Sequence, residues 1–375
     1  MINFWSYKKE YKKYKSSILN SINKTLNKGN IFFGKETEKF EKNFSKKYRS
    51  KYCIAVKSCT DALYISLKTL GIKKGDEIIT ASNTAIPTIS AIILAGAIPR
   101  LVDISEDYLI DVSKIKHAIT AKTKAIIPVH LYGQSCDMDR VIEIAKKYKL
   151  KIIEDCAQAQ GAKYKKKFVG TFGSMGCFSF YPTKILGAYG DGGAILTNNY
   201  NHYLKAKRIR FYGIETENKN NIFFNKYYSN ENGINSRIDE IQASILNFKL
   251  KKIDFFIKKR IYLANLYKKY LSKSDLILPK INKNCFHVYH LFTLRHKNAK
   301  KIIKNLKKNK IHTKIIYEFP IHKMKPFKKY TPKTYNLKNS ALISKEIFSL
   351  PLYPELSRAN IKRICKVLVQ SVKKN

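Results

Sequence analysis

Acidic residues are scarce in this 375-residue chain: 27 Asp and Glu stand against 73 Lys and Arg, for a formal net charge of +46. Long apolar runs are missing too. The longest, Ile86 to Ile98, carries Pro87 near its start, is followed by Pro99, and falls short of the roughly 20 residues that a membrane helix requires. No membrane span is therefore expected. The first residues, Met-Ile-Asn-Phe-Trp-Ser-Tyr-Lys-Lys, lack a charged stretch leading into an apolar block, so no secretory signal is expected. The seven cysteines are scattered without metal-type pairing. Cys156 and Cys177 lie in apolar segments and read as reduced core thiols of a cytoplasmic protein. Arginine is sparse beside lysine. Forked recognition of phosphates and base edges favours Arg, and the lysines cover nearly every predicted surface face. They read as a solvated surface with nonspecific polyanion affinity at low salt, and no specific nucleic-acid partner is expected.

What is present is an ordinary apolar fraction, 44%, and a regular alternation of strand and helix patterns. Strands are expected at Lys51–Val56, Glu77–Thr80, Pro99–Val102, Lys124–His130, Lys151–Asp155, Cys177–Tyr181 and Ala194–Thr197. Helices are expected at Asp61–Leu70, Pro87–Ala95, Asp111–Ile119 and Asp137–Tyr148. Repeated strand–helix–strand order predicts an α/β fold, a mostly parallel sheet with helices on both faces. From Ser236 to Leu271 the pattern becomes one or two long amphipathic helices. Strands at Phe286–Arg295 and Lys310–Ile316, flanking a lysine-rich helix, and a last helix from Ala359 to Val372 follow. This predicts a large domain over 1–250 and a smaller α+β domain over 251–375. The polar, Asn-rich segment Glu215–Asn232 reads as a mobile loop.

Two positions carry the chemistry. Asp155 ends the apolar strand Ile152-Ile153-Glu154-Asp155, and so emerges at the carboxyl edge of a parallel sheet, where ligands bind in such folds. Lys184 follows the apolar Cys177-Phe178-Ser179-Phe180-Tyr181-Pro182-Thr183 and precedes a glycine-rich stretch. A lysine that forms a Schiff base and an Asp that keeps a pyridine nitrogen protonated are what pyridoxal 5'-phosphate requires of a protein. Taken singly, Asp155 equally suits a helix cap and Lys184 an exposed loop; the pair raises both. Ser179 can donate a hydroxyl to a phosphate, or be a small strand residue. Ser58-Cys59-Thr60-Asp61 opens a helix, where backbone N–H groups receive anions, with Thr60 or Asp61 as the helix cap. His130 reads as structural. His322 reads either as a substrate contact or as a surface residue.

The chain resembles the sugar aminotransferases of the DegT/DnrJ/EryC1/StrS family, in the fold-type-I pyridoxal-phosphate superfamily. The resemblance rests on Asn30–Phe44, Ser58–Leu63, Ile127–Gln134, Glu154–Gly161, Ser179–Lys184, Gly190–Ala194, Asn235–Glu240 and Leu350–Leu356, in that order. It implies Lys184 as the Schiff-base lysine and Asp155 as partner of the pyridine nitrogen. It implies Gln158 against the ring near its phenolic oxygen. Cys59, Thr60 and Ser179 fall around the phosphate, and Asn235 reaches it from the other subunit of a homodimer with shared active sites. It further implies glutamate as amino donor and a nucleotide-linked keto-sugar as acceptor. The segments Ser82–Thr84 and Leu186–Gly193 are similar to those of members that aminate C-3, here of a dTDP-linked 3-keto-6-deoxyhexose; amination at C-4 is the alternative. Some members are dehydratases with His at the Schiff-base position, and Lys184 argues against that branch. Three residues depart from the pattern: Cys59 stands where Gly is usual, Ala85 where an aromatic residue stacks on the ring, and Ser174 where Asp is usual. A basic nucleic-acid binder and a cofactor-bound but silent protein remain as rival functions.

Overall fold

The computed structural model describes residues 1–215, 228–330 and 335–373; residues 216–227 of the expected polar loop lie outside that range. Two helices open the chain, α1 (Tyr7–Leu26) and α2 (Lys35–Tyr48). The alternating region follows: β1 (Tyr52–Val56), α3 (Cys59–Thr69), β2 (Glu77–Ala81), α4 (Ile86–Leu94), β3 (Ile98–Val102), α5 (Val112–Ala118), β4 (Thr123–Ile127), α6 (Met138–Lys147) and β5 (Lys151–Asp155). A short hairpin, β6 (Lys163–Tyr164) and β7 (Lys167–Phe168), leads into β8 (Met175–Ser179), β9 (Gly193–Thr197) and α7 (Tyr200–Arg210). The remainder comprises α8 (Glu240–Leu250), α9 (Ile253–Leu271), β10 (Cys285–Phe286), β11 (Phe292–Arg295), α10 (Ala299–Lys308), α11 (Lys338–Glu346), β12 (Ile347–Leu350) and α12 (Arg358–Lys373).

Seven strands form one sheet in the order β1-β9-β8-β5-β4-β2-β3. β9 runs antiparallel to both its neighbours, and the other adjacent pairs are parallel. β2, β8 and β9 are buried at every position, and β5 is buried from Ile152 to Asp155. Covered on both faces, such strands read as continuous apolar runs, which is why they stand out in the sequence. One consequence organises the site: the carboxyl ends of β1, β2, β4, β5 and β8 all open onto one sheet edge, together with the start of the reversed β9.

The later part of the chain departs from expectation in two places. The segment 286–295 breaks into β10 and β11, with Tyr289 between them at φ 51°, a left-handed conformation that no strand continues through. The segment 310–316 is not a strand. Lys310 has φ 58°, and Ile311 and Lys314 bridge to Ile2 and Ser349 respectively, so no continuous ladder forms. The strand that pairs with β11 is β12, in an antiparallel register from Phe292–Leu350 to Arg295–Ile347. These elements, α10, α12 and the end of α9 enclose a core of their own around Tyr267, Phe292, Phe348 and Leu368.

The start of α2 is anchored by one acid. Glu240, buried at the start of α8, accepts backbone N–H groups of Gly34 (3.1 Å), Thr37 (3.0 Å) and Glu36 (2.8 Å), together with the Thr37 hydroxyl. It thus satisfies the orphan donors at the start of α2, a task that usually falls to a local cap. Behind it Phe40, Phe44 and Tyr48 pack on Phe178 and Phe180, the apolar residues that flank Ser179. Replacement Glu240→Ala strands those donors in a buried position. We expect a loss of about 2–3 kcal/mol, read as a lower urea midpoint at unchanged slope. A change within about 0.5 kcal/mol, the range of an ordinary surface substitution, would show that α2 is held by packing alone.

Candidate active site

Three elements meet at the carboxyl edge of the sheet. The first is the end of β5. Asp155 is buried there, and its Oδ1 accepts the N–H of Ala157 at 3.0 Å while its Oδ2 accepts the Thr88 hydroxyl of α4 at 2.8 Å. Thr84 in turn lies 3.1 Å from the Thr88 hydroxyl. Burial pushes the Asp155 carboxyl up, and those two donors, Lys184 and then His130 pull it back toward the charged form. A buried carboxylate with no fixed ion pair is costly. It is the environment in which a protonated ring nitrogen gains most from its partner.

The second element is the turn after β8. The Lys184 N–H bonds to Tyr181 O at 2.9 Å and the Ala188 N–H to Phe180 O at 2.7 Å, so the segment folds tightly back on itself. Gly187 permits this, since a Cβ there would lie 2.5 Å from Pro182 O. Burial lowers the Lys184 amine, while Cys59 and Asp155 act in the opposite sense. A lysine with a depressed pKa keeps a larger fraction of free amine, the nucleophilic form. Ser179 ends β8; its hydroxyl accepts the Tyr181 N–H at 3.3 Å and its carbonyl accepts Gln160 at 2.5 Å.

The third element is the start of α3. Its cap is Ser58, not Thr60 or Asp61 as the sequence suggests, because the Ser58 hydroxyl accepts the Asp61 N–H at 3.1 Å. Cys59 and Thr60 are then the first two helical residues, whose N–H groups have no intrahelical acceptor and can receive an anion. β9 approaches this turn closely: a Cβ on Gly193 would lie 2.5 Å from the Ser58 carbonyl carbon. The Cys59 thiol is pushed up, first by burial and then by Asp155, and so stays protonated. Its electrostatic coupling to Asp155 and Lys184 puts these three residues in one cluster.

Gln158 joins the same edge. Its Oε1 accepts the Tyr132 N–H and its Nε2 donates to the Tyr317 hydroxyl, both at 2.9 Å. Tyr317, Thr88 and His290 were not singled out in the sequence. Tyr317 and His290 come from segments far from the motifs; burial, and after it the charge of Lys184, holds the His290 imidazole well below its usual range. Asn235 stands apart: it is exposed, its Oδ1 accepts Arg237 at 3.0 Å, and its backbone bridges to Phe211. Its neighbour Ser236 is buried and bonds Asp61 of α3 at 2.7 Å. Ala85 caps α4 half-buried. Ser174 lies at the opposite end of β8 from Ser179, which removes it from the site. His322 is half-buried; burial and then Lys323 lower its imidazole, and Asp103 opposes them.

A buried trio, His130, Glu154 and Cys156, has the composition of a metal site. Its hydrogen bonds argue otherwise. Cys136 N–H donates to His130 Nδ1 at 3.1 Å, so Nε2 carries the proton to Glu154 at 3.0 Å. Glu154 also accepts the N–H groups of Gly170, Phe172 and Gly173 at 2.7–2.8 Å. The acceptors are in use, and the trio braces the loop before β8.

The donor set fits pyridoxal 5'-phosphate: an amine, a buried carboxylate, and free N–H groups at a helix start, all on one edge. No described helix is long and apolar enough to cross a membrane. Residues 12–369 match the DegT/DnrJ/EryC1/StrS aminotransferase family. The chain is 40% identical over 369 residues to a dTDP-3-amino-3,6-dideoxy-α-D-galactopyranose transaminase of Aneurinibacillus thermoaerophilus, covering 98% of this chain and 99% of that one. It is 38% identical over 358 residues to a dTDP-3-amino-3,4,6-trideoxy-α-D-glucose transaminase of Micromonospora megalomicea subsp. nigra, covering 94% of each. The crystal structure of S. venezuelae DesV in complex with a ketimine intermediate superposes with a TM-score of 0.94 at 32% identity, over 99% of this chain and 98% of that one. On this geometry and these likenesses, the chain belongs to the DegT/DnrJ/EryC1/StrS family and is a pyridoxal-phosphate-dependent sugar aminotransferase.

Proposed function

We propose that the protein moves an amino group from glutamate to C-3 of a dTDP-linked 3-keto-6-deoxyhexose. The observation that carries the chemistry is the convergence of Lys184, whose amine burial lowers, and the buried carboxyl of Asp155 at one sheet edge. The choice of sugar is supported by the two relatives, both named as transaminases of dTDP-linked 3-amino sugars.

The proposal gives each residue a role. Bound pyridoxal phosphate supplies an electron sink for the carbon that carries the nitrogen. Asp155, which accepts the Thr88 hydroxyl and the Ala157 N–H, would keep the ring nitrogen protonated. Lys184 anchors the cofactor, then takes a proton from the substrate carbon and returns it on the other side of the reaction. Cys59 and Thr60 offer backbone N–H groups to the phosphate, and Ser179 a hydroxyl. Gln158, pinned by Tyr132 and Tyr317, would pack against the ring.

A homodimer is part of the proposal. Asn235 is exposed and makes no described contact with Lys184 or Asp155. Beside it Ile31, Phe32 and Phe33 are also exposed, and Arg237 lies 4.5 Å from the Phe32 ring centroid. An apolar patch with a stacked arginine suits a second copy of the chain, which would carry Asn235 to the neighbouring phosphate. Domains over 1–250 and 251–375 are supported by the separate C-terminal core and by the break between α8 and α9. A cytoplasmic location is supported by seven unpaired cysteines.

Borohydride reduction of the holoprotein followed by peptide mapping should put the label on Lys184, and Lys184→Ala should remove it; label on another lysine would overturn the assignment. Replacement Asp155→Asn should leave folding intact and slow turnover by a factor on the order of 10² or more, each factor of ten being about 1.4 kcal/mol of barrier. Near-normal turnover would refute the role. Mixed dimers of Lys184→Ala and Asn235→Ala chains contain one intact site and one lacking both residues. Activity above either parent is expected. No recovery, with subunit exchange demonstrated, would take Asn235 out of the neighbour's site.

A further inference from the structure

Two buried hydroxyls stand behind Asp155. Thr84 lies just before the Ala85 cap of α4 and Thr88 in its first turn, and both are fully buried. A buried hydroxyl is costly unless it is bonded. Inside a helix, a Thr hydroxyl commonly gives its proton to a carbonyl three or four residues back. Thr88 gives it instead to Asp155 Oδ2, at 2.8 Å. A hydroxyl has one proton, so in the 3.1 Å contact between the two threonines Thr84 is the donor and Thr88 the acceptor. The order is therefore fixed: Thr84 to Thr88 to Asp155, with both dipoles aimed at the carboxyl. The branched side chain of Thr88 has few rotamers, which keeps its hydroxyl aimed. Asp155 also sits against the first turn of a nine-residue helix, whose positive end favours the charged carboxylate.

Among the described residues, only Thr88 and Ala157 bond the two carboxyl oxygens. The titratable groups that act on Asp155 are Lys184, His130, Tyr317 and the thiols of Cys59, Cys156 and Cys177. Burial, before any other cause, holds the phenol and the thiols up, so they stay neutral. His130 directs its Nε2 proton to Glu154. Lys184 gives up its ammonium charge whenever it acts as a nucleophile. The hydroxyls and the Ala157 N–H are the fixed dipoles of the surroundings. A proton shared by a carboxyl and a pyridine nitrogen goes to the more basic partner. Donors to a carboxylate stabilise its charged form and so leave the proton on the nitrogen. Resting on the proposed function, we propose that Thr84 and Thr88 are positioning residues: their relayed hydroxyls hold Asp155 as a carboxylate and keep the shared proton on the ring nitrogen of the cofactor.

The test is a pH titration of the visible absorbance of the holoprotein, in the wild type and in Thr88→Val, Thr84→Val and Thr88→Ser. Valine keeps the shape and removes the hydroxyl. Without the relay the shared proton moves toward Asp155 and the ring loses its positive charge. The linkage between Lys184 and the cofactor then holds its own proton to higher pH. In Thr88→Val we expect the midpoint of the visible band to rise by about one pH unit, a tenfold change in proton affinity. Thr84→Val should shift it less, in the same direction. Amination of the cofactor by glutamate should slow roughly tenfold in Thr88→Val. Thr88→Ser, which keeps the hydroxyl, should return both quantities toward wild type. Unchanged midpoints in both valine variants, with only thermal stability lowered, would make the threonines structural and overturn the proposal. A downward shift, or a folded Thr88→Ser that restores neither quantity, would overturn it too. If Thr88→Val does not take up the cofactor, Thr84→Val carries the same test from one step further away. A wild-type protein that shows no visible band with pyridoxal phosphate would instead remove the function on which the proposal rests.

Discussion

A carboxylate without a fixed counter-ion, buried at the end of a central strand, is the constraint around which this structure is arranged. Burial favours the neutral form of Asp155, and its neighbours are placed to oppose that. The Ala157 N–H and the Thr88 hydroxyl bond it, and Lys184 and His130 contribute favourable charge. Thr88 belongs to the helix after β2 and Lys184 to the turn after β8, on either side of β5 in the sheet. The strand order therefore brings these groups to one carboxylate. The reversed β9 adds its glycine against the first turn of α3 and closes the same edge.

The N-terminal helices extend that arrangement. Glu240 fixes the start of α2, and α1 is clipped through Glu10, which pairs with buried Lys249 at 2.6 Å and accepts the Tyr189 hydroxyl at 3.3 Å. Tyr189 lies a few residues beyond Lys184, so α1 packs on the loop that carries the lysine; Tyr7 and Tyr11 touch the Tyr189 ring. A long-range pair with a nearly buried lysine has a stake in the fold that the many exposed lysines lack. The large positive charge of the chain is thus mostly surface, with a few members committed to structure.

Much of this was legible in the sequence where burial leaves a continuous apolar signature. Lys151–Asp155 is a strand over the expected residues, Asp137 caps its helix, and the helix expected from Asp111 begins there, with Asp111 as its cap. Asp155 and Ser179 stand at the ends of β5 and β8, and Lys184 in the turn that follows β8. What could not be read depends on distant partners. Tyr317 and His290 reach the site from segments without a local motif, and Thr88 looks like any other residue of an apolar helix. The cap of α3 was misplaced because Ser58, Thr60 and Asp61 are all good caps and only backbone geometry separates them. The 310–316 segment has the composition of a strand, but the left-handed Lys310 and a split between two partners leave it without a ladder. α1 and α2 were missed because lysine hides their apolar stripe and a residue more than 200 positions away caps one of them.

The account's central claim is that Lys184 and Asp155 operate one cofactor in alternating transfers. The most direct measurement is the visible absorbance of the purified holoprotein through one complete cycle. Glutamate alone should bleach the cofactor's visible band in a single turnover, and the dTDP-linked 3-keto sugar should then restore it while releasing the 3-amino sugar. A band that glutamate leaves unchanged, or one that bleaches and is restored by no nucleotide-linked keto-sugar, would contradict the account.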